Sequence, residues 1–138
     1  MLDRIRKVAH FNASVPNEPG EGARLLDALR KAGVNLLACW GYPMGIEAQI
    51  EMVPEKPAQF VRVASKAGVR LGPRQEAIFV TGADRTGAMA EIFLKLAAAG
   101  INIGAAQGVS TGDGRWGAVL FLPPREIPKA MKALRARR

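Results

Sequence analysis

Residues Thr81 to Phe93 read TGADRTGAMAEIF. Asp84, Arg85 and Thr86 stand together in a turn that closes on Gly87 and runs straight into an apolar pattern of helical spacing. At such a junction several backbone N–H groups have no partner inside the helix. Those donors and the positive end of the helix dipole favour a small anion such as a carboxylate. Gly87 carries no side chain, which leaves room for a ligand beside the backbone. Asp84 is placed to meet an ammonium group, or to serve as a plain N-cap, the commoner use of an acid before a helix. The chemistry on offer is recognition of a small zwitterion.

The residues for catalysis are scarce. The one cysteine, Cys39, cannot form an internal disulfide, and the one histidine, His10, leaves no second imidazole for a metal or a proton relay. Cys39 lies in NLLACWGY, where a free cysteine reads as a small buried hydrophobe. No nucleophile and base pair, no phosphate-cradling glycine loop ending in Lys-Ser/Thr and no dinucleotide fingerprint is present. Neither an enzyme activity nor a cofactor is expected.

The elements that must position the turn occur twice. PGEGARLLDALRKAGVNLLACWG, from Pro19, aligns with TGAMAEIFLKLAAAGINIGAAQG, from Thr86, at the 67-residue spacing that separates Gly20 from Gly87 and Gly33 from Gly100. Eight of the 23 aligned positions are identical, among them three glycines and the pair Asn35 and Asn102, so two copies of one unit is the simplest account. The turn PNEPG of the first copy keeps an amide, an acid and the glycine.

Each copy predicts the same order. VAHFNASV alternates Phe11, Ala13 and Val15 against His10, Asn12 and Ser14, the pattern of a strand with one buried face, and AIFVTG is a more apolar counterpart. Helices follow, with Leu25, Leu26, Leu29 and Ala32 in one apolar stripe and Met89, Ile92, Phe93, Leu96 and Ala99 in the other, each ending at a glycine, Gly33 or Gly100. VNLLACW and INIGAAQGV read as second strands, and GIEAQIEMV and WGAVLFL as third strands, with YPMG and STGDG as the turns. KPAQFVRVASKAG and REIPKAMKALRA are second helices, and VRLG, from Val69 to Gly72, is a fourth strand. The expected fold is α+β, two tandem ferredoxin-like βαββαβ units over 1–72 and 73–138. The second lacks its last strand, so it has three strands of its own or is completed by the other unit or another chain. An open edge of that kind favours pairing, and a homodimer is expected.

VPNEPGEGARLLDALRKAGVNLLA and TGADRTGAMAEIFLKLAAAGINIGAA resemble the ACT domain, a small regulatory module marked by an Asp/Asn and a Pro-Gly or Thr-Gly turn after strand one, then a helix and an AG-I/V-N-I segment leading into strand two. The resemblance spans nearly the whole chain as two copies. It implies non-catalytic binding of a small effector, usually an amino acid, between the turn of one unit and the start of strand two in its neighbour. On this sequence that points to Asn17, Glu18, Pro19 and Gly20 with Asn35 in the first copy, and to Asp84, Arg85, Thr86 and Gly87 with Asn102 in the second. With Arg85 in place of Glu18, the second copy is expected to be the better carboxylate site. The regulated enzyme or regulator would be a separate protein.

Charge and composition sit with this reading. The net charge of +8 lies mostly in the ends: Arg4, Arg6 and Lys7 stand against Asp3, and six cations stand against Glu126 in the last fourteen residues. A nearly neutral body argues against a built-in nucleic-acid groove. A ferredoxin-like RNA-binding module is the alternative, with Phe11, Phe79, Trp116 and Phe121 as candidate stacking residues, but no basic-Gly-aromatic run accompanies them. A purely structural pairing module is the other. Trp40 and Tyr42 fit packing or a ligand pocket, and KAMKALRARR fits a solvated helix face. No run of eighteen apolar residues occurs and the N-terminus is charged, so a cytoplasmic protein without a membrane segment is expected.

Overall fold

The alternation of Phe11, Ala13 and Val15 continues beyond the segment that first suggests a strand. In the computed structural model, which describes residues 3–136, β1 runs Arg4–Pro16. It is followed by α1 (Glu21–Lys31), β2 (Leu36–Met44), β3 (Glu47–Pro54), α2 (Pro57–Lys66), β4 (Gln75–Ala83), α3 (Ala88–Ala98), β5 (Ala105–Ser110), β6 (Arg115–Phe121) and, after a 3₁₀ turn, α4 (Ile127–Arg135). Arg137 and Arg138, the last cations of the expected basic tail, lie outside the described residues. No described helix is long and apolar enough to cross a membrane.

The chain forms two units. In the first, Ala9–Gln75, β3 is central: it pairs antiparallel with β1, from Phe11 opposite Met52 to Pro16 opposite Glu47, and with β2, where Gly41 stands opposite Ile50. Phe11, Ala13, Leu25, Leu29, Ile50, Met52 and Phe60 form its core, with the Phe11 and Phe60 rings 5.1 Å apart. Leu25 and Leu29 carry the buried stripe of α1, while Leu26, expected beside them, is exposed because it falls one residue round the helix. Tyr42 to Met44 continue β2 instead of turning, and the reversal falls at Gly45 and Ile46.

The fourth strand expected at Val69 to Gly72 shrinks to a single bridge, Leu71 to Ala13, plus the Gly72 N–H donated to the Asn12 carbonyl at 2.8 Å. Pro73 follows at once and has no N–H with which to extend a ladder.

The second unit joins residues 3–8 to 76–136. β6 lies between β4 and β5, with Ile78 opposite Leu120 and Gly108 opposite Ala118. No strand follows α4 among the described residues. The vacant place beside β4 is taken by the start of β1. The two run in opposite directions: Asp3 abuts Gly82, the Arg6 guanidinium lies 5.2 Å from the centre of the Phe79 ring, and Lys7 Nζ is 3.4 Å from Glu76 Oε2. Ile5 packs in the core of this unit with Ile78, Ile92, Leu96, Leu120 and Leu134. Residues 3–8 thus group with the second repeat, and Ile5 finds its apolar contacts there.

Candidate functional site

The two turns share a backbone device. Gly20 precedes α1 at φ 89° and Gly87 precedes α3 at φ 78°, both left-handed, and neither helix receives a side-chain cap. A side chain is strained at such φ, so glycine is required by conformation. A Cβ added at either would meet nothing within 4 Å, so crowding is not the reason for these glycines.

In the second turn the expected ligand groups are engaged within the unit. Arg85 donates from Nη1 to Asp3 Oδ1 and from Nη2 to Asp3 Oδ2, both at 3.0 Å, and from Nη2 to Glu91 Oε2 at 2.5 Å. Its guanidinium also lies 5.9 Å from the centre of the Trp116 ring. The Asp3 carboxylate first, and Glu91 second, hold the Arg85 pKa well above the ordinary arginine range. In return Arg85 pulls the Glu91 carboxyl below its usual value. Asp84 does not cap α3. Its Oδ2 accepts the Ser110 hydroxyl at 2.8 Å, and its N–H bonds the Gly114 carbonyl at 2.8 Å. Thr86 is exposed.

The first turn is more open. The Asn17 N–H bonds the Ile46 carbonyl at 3.0 Å, which ties the turn to the β2–β3 hairpin. Asn17 and Glu18 then rim a concavity of about 320 Å³ whose walls include Gly22 of α1, Gly41 and Tyr42 of β2, and Ile50 of β3. Pro19 and Gly20 complete the turn and are exposed.

Tyr42 links this concavity to a polar network on the sheet. Its hydroxyl donates to Glu51 Oε2 at 2.8 Å, and Asn12 Nδ2 donates to the same oxygen at 2.7 Å. His10 Nε2 is 2.5 Å from Glu51 Oε1, and the His10 ring stacks on Trp40 at 6.2 Å with the planes 7° apart. The Glu51 carboxylate, as acceptor and as nearby charge, together with burial, pushes the Tyr42 phenol above its ordinary 10.0. His10 lies on the face assigned to it by alternation yet is buried, because Glu51 and Trp40 surround it. Cys39 is exposed on β2 and not buried as expected, although partial burial raises its thiol pKa.

The asparagines stand apart from the turns of their own units. Asn102 precedes β5, whose far end, Ser110, touches Asp84, and the strand from Ala105 to Ser110 alone spans roughly 17 Å. The Asn35 carbonyl likewise accepts from Glu55 at the far end of the β3 strand from Asn17 and Ile46. Turn and asparagine therefore do not form one site inside a single unit. Gly22 and Gly41 were not among the expected site residues, although Gly41 is one of the identities between the copies and Gly22 faces Met89 in the alignment. Glu51 was missed because its partners lie 9, 39 and 41 residues away.

No protein-family model and no curated protein matches the sequence. Solved structures do match. Protein BT0572 from Bacteroides thetaiotaomicron superposes with a TM-score of 0.81 at 15% identity, over 94% of this chain and 88% of that one. The regulatory subunit of aspartate kinase from Thermus thermophilus gives 0.68 at 15% identity, over 97% and 95%. A structure of aspartokinase alpha and beta subunits gives 0.64 at 19% identity, over 97% and 95%. At these identities what is shared is the architecture: an α+β, ferredoxin-like fold with duplicated units.

Proposed function

We propose that this chain is a tandem ACT-type regulatory module that binds a free amino acid and has no catalysis of its own. The observation that carries the reading is the recurrence of one turn device, a left-handed glycine entering a helix without a side-chain cap, beside an open concavity rimmed by Asn17 and Glu18. The N–H groups at a helix start suit the α-carboxylate, and the Asn17 amide oxygen and Glu18 carboxylate suit the ammonium. Pro19 and Gly20 shape that turn, with Asn35 supplied by a neighbouring unit. In the second copy Asp84, Arg85, Thr86 and Gly87, with Asn102 from a neighbour, hold the corresponding positions. The separation of turn and asparagine within each unit supports a site built by two units, and pairing of two chains is the simplest way to provide it. The duplicated fold shared with regulatory subunits of aspartate kinase supports a regulatory output through a separate enzyme. For the output to follow occupancy, the effector must favour one arrangement of the units.

Equilibrium dialysis of the full chain against a mixture of the twenty amino acids, with chromatography of what is retained, tests the reading. Retention of one amino acid, or of a few of one class, is expected. Retention of none would overturn it.

A further inference from the structure

The two units treat one position differently. In the alignment of the copies Gly22 of α1 corresponds to Met89 of α3, and Gly41 of β2 to Gly108 of β5. In the second unit Met89 lies against Gly108: a Cβ added at Gly108 would stand 3.1 Å from Met89 Sδ, 3.3 Å from Cγ and 3.4 Å from Cε. In the first unit a Cβ added at Gly41 would meet the Gln49 carbonyl oxygen at 3.4 Å and Ile50 Cγ1 at 4.0 Å, and nothing from α1 within 4 Å. The place that a methionine side chain holds in one copy borders, in the other, the concavity of about 320 Å³ that Gly22 and Gly41 line.

Ordinary exchange of core volume accounts for part of this difference. The residue opposite Gly41 is Ile50, and the residue opposite Gly108 is the smaller Ala118. Ile50 Cδ1 comes within 3.6 Å of where a Gly22 Cβ would be, so it fills the inner side of the volume and is itself buried. The outer side, between Gly41, Tyr42 and the Asn17–Glu18 rim, stays open. Gly22 and Gly41 both line that gap, and without side chains they let a guest side chain lie directly on backbone.

We propose that the first unit binds an α-amino acid with an unbranched apolar side chain in the concavity over Gly41, and that Met89 fills the corresponding place in the second unit with its own side chain. The chain then has one effector site for its two repeats. Met89 shows the size and chemistry of the guest: a flexible, polarizable chain that adapts to an irregular gap. Glu18 and Asn17 stand at the mouth, where the guest's ammonium would emerge. The cation that replaces Glu18 in the second copy, Arg85, is already held by Asp3 and Glu91, consistent with a turn that serves its own unit.

The inference rests on the amino-acid-binding reading, and one set of titrations separates the two. Calorimetry of the full chain with free L-methionine is expected to give one equivalent per chain. Gly22→Met, at a helical position where a Cβ meets only Ile50 at ordinary contact distance, is expected to weaken binding at least tenfold with an unchanged far-UV circular dichroism spectrum. Met89→Ala is expected to raise the stoichiometry to two. Two equivalents in the wild type, undiminished binding by Gly22→Met, or one equivalent in Met89→Ala would overturn the inference. So would no methionine binding in the wild type: if dialysis retains a different amino acid the regulatory reading stands and this inference falls, and if it retains none both fall.

Discussion

The carboxylate of Asp3 grips the guanidinium of Arg85 with both oxygens, at 3.0 Å each, although the two residues are 82 positions apart. The pair fastens the start of β1 to the turn before α3. Asp3 is nearly buried, also accepts from Trp116 Nε1 at 3.4 Å, and sits where any side chain on Gly82 would have to be: a Cβ there would lie 2.0 Å from Asp3 Oδ1.

Asp3→Ala should therefore destabilise the protein by about 1.5–3 kcal/mol, the scale of hydrogen bonds to charged groups. Urea unfolding followed by circular dichroism measures it. Gly82→Ala must displace the same carboxylate and should cost a similar amount. The double variant should lose clearly less than the sum, because both changes break one contact. Strict additivity would mean that Asp3 and Gly82 are not coupled.

Acid should weaken the other side of the Arg85 cluster. The Glu91 carboxyl is held below its ordinary value of 4.5, first by its hydrogen bond to Arg85. A depressed acid contributes stability above its unfolded pKa and loses that contribution as pH falls through the folded value. Glu91→Gln should remove that part of the pH dependence below about 4.5 and leave the curve at neutral pH parallel to the wild type. Unfolding midpoints from pH 3 to pH 7 decide it, and identical slopes in wild type and variant would contradict the assignment.

Tyr42 is the only tyrosine, so its titration is read without ambiguity from tyrosinate absorbance. Its pKa is raised above 10.0, chiefly by donating to Glu51. The neutral phenol is thus the bonded form: its contribution is complete below pH 10 and is lost as pH rises through the shifted value. Glu51→Gln should bring the titration back towards 10. An unshifted curve in the wild type would remove the Tyr42–Glu51 bond from the rim of the concavity.

Much of this organisation is legible in local sequence because it rests on short-range chemistry. Gly20 and Gly87 mark left-handed turns, Gly33 and Gly100 end helices at φ 75° and 73°, and Leu29 and Leu96, identical positions of the two copies, are both buried. What is not legible depends on partners far away. Ile5 stands alone between Arg4 and Arg6 and reads as part of a basic tail, yet residues from the other end of the chain bury it. Arg85 looks available for an anion until Asp3 and Glu91 are placed beside it. VRLG has strand composition, but Pro73 stops its ladder after one bridge. The difference between Gly22 and Met89 is visible in the alignment, and its meaning emerges only once Gly41 and Gly108 are seen beneath them.

The central claim, that the folded chain binds a free amino acid, is tested most directly by its melting temperature in each of the twenty amino acids at millimolar concentration. A ligand that binds only the folded state at a hundred times its Kd adds about 2.7 kcal/mol. For units of this size each kcal/mol raises the melting temperature by roughly 4–8 °C, so the full rise is roughly 11–22 °C. The account predicts a concentration-dependent rise for one or a few apolar amino acids, methionine among them. No rise with any of the twenty would contradict it.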